Sequence, residues 1–240
     1  TDDHADPDQL SYLLKYDTIR GISKETINYS NGVLEYGDRR INITNKNVGE
    51  FKWDEYDVDI VVDSSGSYLS PELSVLHKKN NAKISIFTAL MDKPDITIIM
   101  GINEFQFNLN KHFIISNGSC TSYSLGMITN LLHNNYVIKR GYVSNIHSYT
   151  SEQKILDAPY PKKGELKRCR SGAANIIPTS SGAADGINRV IPGLENKLVS
   201  TGYRVPVING SLLDLIVETE KQVSVDEVNS LIKNKALELD

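Results

Sequence analysis

The sequence predicts an α/β fold in which an open, mostly parallel sheet precedes a segment rich in reactive side chains. Short apolar runs at residues 58–62, 83–87 and 96–100 are typical of buried strands. A helical pattern at residues 71–79, with Pro71 in its first turn, separates the first two runs. Strands that alternate with helices are typical of a parallel sheet covered by helices, which gives the fold class.

Before the sheet, residues 10–16 predict a short helix. Residues 24–47 alternate polar and apolar side chains around Asn31-Gly32 and Gly37-Asp38. Turn pairs of this kind between alternating runs are typical of antiparallel strands joined by tight turns.

Composition narrows the class of protein. The chain has 240 residues and a net charge of -4, so there is no overall electrostatic attraction for nucleic acid or an acidic membrane. Its two cysteines, Cys120 and Cys169, exclude a disulfide framework and favour a reducing compartment such as the cytoplasm. No apolar run reaches transmembrane length, and no metal site is predicted. The chain begins without Met, which suggests a trimmed or partial protein.

The segment from His112 to His133 is the one around which the chain is organised. Residues 112–115 predict a buried strand, and a helix with apolar residues at helical spacing follows the Asn117-Gly118 turn pair. Ser119 stands at the N-cap position, which places Cys120 in the first helical turn. The exposed N–H groups and the helix dipole favour a thiolate there, the form that attacks carbonyl carbon.

Taken alone, Cys120 is also compatible with an ordinary buried cysteine. A second feature favours the reactive interpretation: residues 141–146 predict a strand, with His147 at its end. This layout allows an imidazole to meet the thiolate at the edge of a sheet.

The remaining segments supply polar and basic groups. Residues 157–170 predict a basic loop, and residues 182–190, 211–219 and 224–239 predict a helix, a strand and a second helix. The run Thr179-Ser180-Ser181-Gly182 is typical of an anion site at a helix start, or simply of an N-cap. Arg204 lies in an apolar strand context, where it needs an anionic substrate or a structural ion pair.

Four blocks carry a family resemblance: SNGSCTS, NIHSYTSEQ, NIIPTSSGAADGINRVIPGL and YRVPVINGSLLDL. In this order and near this spacing, they closely resemble the phosphorylating glyceraldehyde-3-phosphate dehydrogenases. The resemblance runs from Asp3 to about Leu231. It implies a partial Rossmann-like NAD-binding domain at residues 1–119 and an α+β catalytic domain with a mixed or antiparallel sheet at residues 120–240. Relative to the family, the first would lack its initial strand, glycine-rich turn and helix, and the second its last strands and helix.

The resemblance also implies roles for individual residues. Cys120 would be the nucleophile and His147 the base, and Asp3 would bind the adenosine ribose of NAD. The site for attacking inorganic phosphate would be formed by Ser119, Thr121, Ser181 and Gly182. Thr150 and Arg204 would hold the phosphate of glyceraldehyde 3-phosphate. A homotetramer and a place in glycolysis complete the expectation.

Some positions depart from the family pattern. Tyr123 and Ser124 replace an Asn and a second Cys, and Asp185 stands where a Lys is common. No GxGxxG phosphate-binding turn occurs in the chain. Two alternatives therefore remain: an erythrose-4-phosphate dehydrogenase, which shares the thiolate, the histidine and NAD, or a truncated relative that binds a partner without turnover.

Overall fold

The computed structural model divides into two units at the junction of Ile86 and Phe87. It describes residues 6–44, 46–50, 52–160 and 164–238. Within these residues, no helix has the length and apolar character needed to cross a lipid bilayer. The domain boundary expected at Ser119–Cys120 stays a prediction.

Among its described residues the first unit contains three α-helices, two short 3-10 helices and seven strands, the last of which extends one residue past the junction to Phe87. In chain order the α-helices and strands are α1 (Pro7–Lys15), β1 (Tyr16–Asp17), β2 (Gly21–Ile22), β3 (Ile27–Ser30), β4 (Val33–Tyr36), β5 (Arg39–Asn42), β6 (Ile60–Asp63), α2 (Pro71–Ser74), α3 (Leu76–Lys79) and β7 (Ile84–Phe87).

The predicted antiparallel strands are confirmed as the meander β3–β4–β5. Asn31 and Gly32 both have positive φ, 51° and 79°, as a two-residue hairpin turn of this type requires. The short helix predicted at residues 10–16 is confirmed as α1, which begins at Pro7. Local turn and cap chemistry therefore decides the structure of this part of the chain.

The single helix predicted at residues 71–79 is wrong, because the structure has two short helices separated at Val75. The hydroxyl of Ser74 donates to the carbonyl of Pro71, the acceptor that the Val75 N–H would use in a continuous helix. The N–H of Val75 turns to the carbonyl of Leu73 instead. A local side-chain bond thus interrupts the helix.

The second unit contains the elements that carry the predicted site residues. They are β8 (Ile96–Thr97), β9 (Ile114–Ser116), α4 (Cys120–Tyr136), β10 (Ile138–Ser148), β11 (Ile177–Thr179), α5 (Ala183–Val190), β12 (Leu198–Val205), β13 (Ser211–Thr219) and α6 (Val225–Leu237). β8 and β9 pair in parallel, whereas the larger sheet has the order β11-β12-β10-β13. In that sheet β10 runs parallel to β12 and antiparallel to β13, so the predicted mixed sheet and α/β class are confirmed.

The strand predicted at residues 96–100 ends early, at Thr97. The buried side chain of Asn103 accepts from the Ile99 N–H at 2.9 Å and donates to the Thr97 carbonyl at 2.8 Å. These bonds occupy backbone groups that would otherwise continue the ladder, so the chain turns away from the sheet.

Helices α4 and α5 pack closely in the core of this unit. A Cβ at Gly126 of α4 would lie 2.8 Å from Ile102 and 2.9 Å from Ile187 of α5, so glycine permits the close approach. Leu125 of α4 and Val143 of β10 belong to the same buried cluster. This packing fixes the start of α4 relative to β10, and the two elements carry Cys120 and His147.

Candidate active site

The sulfur of Cys120 lies in the first turn of α4, as predicted. Ser119 caps the helix by accepting from the Ser122 N–H, and the Ser122 hydroxyl accepts in return from the Ser119 N–H. Gly118 precedes the cap with φ of 68°, a conformation that suits glycine in this tight turn. Cys120 itself is exposed, which excludes the alternative of an ordinary buried cysteine.

The imidazole of His147 contacts this sulfur. Nε2 of His147 lies 3.3 Å from Sγ of Cys120, although 27 residues separate them. The strand predicted at residues 141–146 is longer than expected and extends through His147 to Ser148. The long strand therefore presents the ring to the start of α4. A proton can pass directly between the two atoms at this distance.

Arg204 contacts the other ring nitrogen of His147. The parallel register of β10 and β12 places Arg204 opposite His147, and its Nη1 lies 2.5 Å from Nδ1 of that histidine. The same Nη1 donates to the Ser148 carbonyl at 3.0 Å. Burial lowers the pKa of the Arg204 guanidinium, and the nearby Glu152 carboxylate and Cys120 sulfur only partly offset this effect. Desolvation of this kind makes an anionic partner for the guanidinium favourable.

A second chain of contacts reaches the sulfur through Thr121. Its hydroxyl accepts from the Asn145 amide at 2.9 Å and lies 3.8 Å from Sγ of Cys120. Both residues are buried. Sequence reasoning missed Asn145, although its position two residues before His147 places it on the same face of the strand.

The other predicted phosphate-binding residues have local partners. Ser119 is bonded to Ser122, and Thr150 bonds to the Gln153 side chain through both its N–H and its hydroxyl. Gly182 is the N-cap of α5, and the Ser181 hydroxyl accepts from the Ala183 N–H at 3.4 Å.

The starts of α4 and α5 lie close together. A Cβ at Gly186 of α5 would come within 3.0 Å of the Ser122 hydroxyl of α4. A Cβ at Gly202 of β12 would come within 2.8 Å of the Thr179 hydroxyl. The hydroxyl-rich run at residues 179–182 is thus packed onto the strand that carries Arg204, while its phosphate-binding role stays a prediction.

A charged cluster follows β10. Glu152 accepts from the Tyr160 hydroxyl and forms an ion pair of 2.5 Å with Arg168. Burial raises the pKa of the Glu152 carboxyl, but the bonds from Tyr160 and Arg168 outweigh it, and the pKa lies below its ordinary value. Although Arg168 belongs to the predicted basic loop, its side chain is not a solvated surface group, because it is only 14% exposed. Arg170, paired with Asp157, does remain on the surface.

An open cavity of about 290 Å³ lies beside the sulfur. Its lining combines hydroxyl and apolar side chains, from Cys120, Thr121, Ser124, Ile128, Ser211 and Leu213. The exposed sulfur is thus accessible to a small electrophile from this side.

Asp3, predicted to bind the adenosine ribose, lies outside the described residues. The described residues contain no group of three or more His, Cys, Asp or Glu side chains placed to hold a metal ion. The groups that meet at the site are a thiol, an imidazole and a guanidinium. Together they suit attack by sulfur on a carbonyl carbon, with proton transfer at the imidazole and an anion held by the guanidinium.

Comparison with known proteins places this site in a family. Residues 119–238 match the family model described as "Glyceraldehyde 3-phosphate dehydrogenase, C-terminal domain". Residues 1–71 match the model described as "Glyceraldehyde 3-phosphate dehydrogenase, NAD binding domain".

Individual relatives agree with the family models. The chain is 37% identical over 235 residues to glyceraldehyde-3-phosphate dehydrogenase 1 of Bacillus cereus, covering 98% of this chain and 70% of the relative. It is 38% identical to the corresponding enzyme of Geobacillus stearothermophilus, covering 98% and 69%. For the enzyme of Streptomyces coelicolor the identity is 36%, again covering 98% and 69%. The chain therefore belongs to the glyceraldehyde-3-phosphate dehydrogenase family.

Proposed function

We propose that this protein oxidises glyceraldehyde 3-phosphate with NAD and converts it with inorganic phosphate into 1,3-bisphosphoglycerate, as an oxidoreductase of glycolysis. The observation that carries the proposal is the 3.3 Å contact between Sγ of Cys120 and Nε2 of His147. An exposed thiol beside an imidazole is the pair that covalent oxidation of an aldehyde requires.

The proposed chemistry of Cys120 requires a hydride acceptor, and NAD fits this role. A carbonyl carbon that has bonded to sulfur can become a thioester only if its hydrogen leaves as hydride, and NAD, when bound, supplies the acceptor. The match of residues 1–71 to an NAD-binding domain supports the same cofactor. Asp3 would hold the adenosine ribose, and its carboxylate would disfavour a 2′-phosphate.

The first step forms a carbon–sulfur bond. The proton of the Cys120 thiol passes to Nε2 of His147, and the thiolate attacks the aldehyde carbon. The carbonyl oxygen then takes the proton from the imidazole, which gives a thiohemiacetal. Because Cys120 opens α4, backbone N–H groups of the first turn lie near the developing negative charge and stabilise it.

The second step is the oxidation. Nε2 of His147 takes the hydroxyl proton of the thiohemiacetal while hydride leaves the same carbon, and a thioester of Cys120 results. An oxygen of inorganic phosphate then attacks the thioester carbon, the carbon–sulfur bond breaks and the thiolate is restored.

Two phosphate sites follow from the same proposal. Arg204 and Thr150 would hold the phosphate of the substrate, and the buried guanidinium supports this because it needs an anion. The attacking phosphate would be held by Ser119, Thr121, Ser181 and Gly182 at the starts of α4 and α5. Support for this set comes from the close approach of α5 to the first turn of α4.

We further propose a homotetramer in the cytoplasm. Exposed apolar residues on β10, β12 and β13 support assembly, because an open sheet face of this kind is typical of a subunit interface. They include Tyr142 (38% exposed), Val199 (59%) and Ile216 (64%). The mass of the purified protein in solution would test the tetramer.

A spectrophotometric assay tests the activity. Purified chain mixed with glyceraldehyde 3-phosphate and NAD should form NADH, and turnover should depend on added inorganic phosphate. A rate that does not depend on the concentration of inorganic phosphate, or that is higher with erythrose 4-phosphate as substrate, would instead identify an erythrose-4-phosphate dehydrogenase. Alkylation by iodoacetate that is no faster at Cys120 than at Cys169 would show an unactivated thiol and a non-catalytic relative.

A further inference from the structure

Helix α5 begins without a cap of its own. Its N-cap residue, Gly182, has no side chain that could accept from the first turn. An uncapped helix start leaves backbone N–H groups without acceptors inside the helix. The start of α5 is also where the proposed function places the attacking inorganic phosphate. Whatever holds this backbone in place therefore bears on how phosphate is bound.

Ser200 of β12 supplies the missing cap from another element. Its hydroxyl donates to the Ser181 carbonyl at 2.9 Å and accepts from the Ala184 N–H at a longer 3.4 Å. A carbonyl can only accept and a backbone N–H can only donate, so the direction of both bonds is fixed, and one hydroxyl can make both. Ser200 thus ties together the backbone on the two sides of Gly182.

The face of β12 that carries Ser200 also carries positions 202 and 204, because alternate residues of a strand share a face. Thr179 of β11 lies opposite Gly202 in the antiparallel register. A Cβ at Gly202 would come within 2.8 Å of the Thr179 hydroxyl and 3.4 Å of the Ser181 Cβ. Glycine therefore lets residues 179–181 lie directly on the strand. One face of β12 supports both the run that leads into α5 and the guanidinium of Arg204.

Burial and charge at this helix start make the backbone geometry important. Ala183 and Ala184 are buried, whereas Gly182 is exposed and can be reached by a ligand. The Ser181 hydroxyl accepts from the Ala183 N–H at 3.4 Å, so it keeps its own proton for donation to an anion. The first turn carries the acidic Asp185, which opposes a bound anion. Phosphate binding there must therefore depend on well-placed neutral donors.

We propose that Ser200 is a positioning residue for inorganic phosphate. Its two bonds hold the start of α5 in the conformation in which Ser181 and Gly182 donate to the attacking phosphate. This rests on the proposed function, in which these two residues belong to the site for that phosphate. It adds that a side chain which does not itself bind phosphate sets the affinity for it. The phosphate of the substrate, held by Arg204, does not depend on these bonds.

A binding experiment tests this without NAD or aldehyde. Nitrogen-15 NMR of alanine-labelled protein reports on the amides of Ala183 and Ala184, whose signals are assigned by their loss when each residue is replaced by Gly. Inorganic phosphate should shift both signals, and in Ser200→Ala the half-saturating concentration should rise at least about threefold. Ser200→Thr keeps the hydroxyl and should restore the original value. Signals that do not respond to phosphate, or an unchanged half-saturating concentration in Ser200→Ala, would overturn the proposal.

The matched control is the next residue of the same strand. Thr201 lies on the opposite face of β12, where its hydroxyl accepts from the Tyr142 hydroxyl at 2.9 Å. Thr201→Val removes this hydroxyl and should bind phosphate like the unaltered protein; an equal loss in both variants would contradict a specific role for Ser200. Should Ser200→Ala fail to fold, Ser200→Cys, with a similar volume but a weakly bonding thiol, must show the same rise, and an unchanged value would overturn the proposal.

Kinetics separates positioning from a general loss of structure. In the assay with NAD, Ser200→Ala should raise the KM for inorganic phosphate at least about threefold and leave the KM for glyceraldehyde 3-phosphate unchanged. Equal rises in both KM values would show a general distortion of the site and overturn the proposal. If the unaltered protein forms no NADH from glyceraldehyde 3-phosphate, the proposed function fails, while the NMR titration still decides whether Ser200 positions a phosphate site.

Discussion

Each unit of the molecule contains a histidine in a close polar pair, and the two pairs differ in burial. In the first unit, Nε2 of His77 lies 2.9 Å from a carboxylate oxygen of Asp63, and both side chains are at most 4% exposed. In the second, Nε2 of His147 lies 3.3 Å from the exposed Cys120. An imidazole nitrogen is thus paired in both units, with a buried carboxylate in the first and with an exposed sulfur in the second.

The difference shows what makes such a pair reactive. The Asp63 carboxylate also accepts from the N–H and the hydroxyl of Ser65, so its acceptor capacity is used by the protein. Burial of the pair excludes substrate, and its bonds stabilise the end of β6 and the segment that follows. The Cys120–His147 pair has a cavity beside it and a sulfur that can form a new bond. Access rather than pairing separates a structural histidine from a candidate base.

The largest expected effect is at the sulfur. Cys120→Ser should abolish oxidation, with a loss of at least about 10⁴-fold in kcat, because the hydroxyl is a far weaker nucleophile. Circular dichroism should be unchanged, since the residue is exposed. The matched control Cys169→Ser should retain activity. Equal losses of activity in both variants would mean that Cys120 is no more important for oxidation than Cys169.

Replacing His147 should have the next largest effect. His147→Asn keeps a polar side chain but removes the proton transfer, so kcat should fall about 10²- to 10⁴-fold. The rate of alkylation of Cys120 by iodoacetate near neutral pH should also fall, because the imidazole no longer stabilises the thiolate. Unchanged alkylation would mean that the imidazole does not act on the sulfur.

Disrupting the buried pair of Asp63 and His77 should lower the stability of the protein. Asp63→Ala removes the partner of His77 and the acceptor of Ser65, so the free energy of unfolding should fall by about 1–3 kcal/mol. Urea denaturation followed by circular dichroism measures this. Asp59→Ala is the control, since Asp59 forms an exposed pair with Lys83 and should contribute little. Equal effects would contradict the role assigned to burial.

The smallest expected effect is a pH dependence of that stability. Burial raises the pKa of the Asp63 carboxyl, but the bonds from His77 and Ser65 lower it more, so the folded pKa lies below 3.8. The unfolded state therefore binds more protons at acid pH, and stability is lost as the pH falls from about 4 through the folded pKa. Asp63→Asn should lose less stability over this acid range than the unaltered protein. An equal acid slope in both would exclude Asp63 as the source.

Local features of the structure could be predicted from the sequence. The predicted cap at Ser119 is confirmed, and it depends on residues three apart, as does the capping box of Ser224 with Glu227 at the start of α6. The turn at Asn31-Gly32 is equally local. The break at Val75 is local too, but it depends on the direction in which a single hydroxyl points, and residue patterns do not encode this.

Contacts between residues that are far apart in the sequence were harder to predict. The order of the family blocks predicts that Cys120 and His147 act together, but the contact of Arg204 with Nδ1 depends on the register of two strands. Asn145 bonds to Thr121 across 24 positions of sequence, and Arg168, with its side chain 14% exposed, forms an ion pair with Glu152. Each depends on tertiary packing, which composition and spacing do not specify.

The parallel register of β10 and β12 also has a consequence for the order of folding. His147 and Arg204 are 57 positions apart, and the strands that carry them must align before Nδ1 of His147 lies beside Arg204. Closing so long a stretch of chain costs entropy early and is rewarded only when the strands zip together. A newly made chain would thus form its helices before its reactive groups come together. The Cys120 thiol would become selective for its substrate only once the sheet is complete.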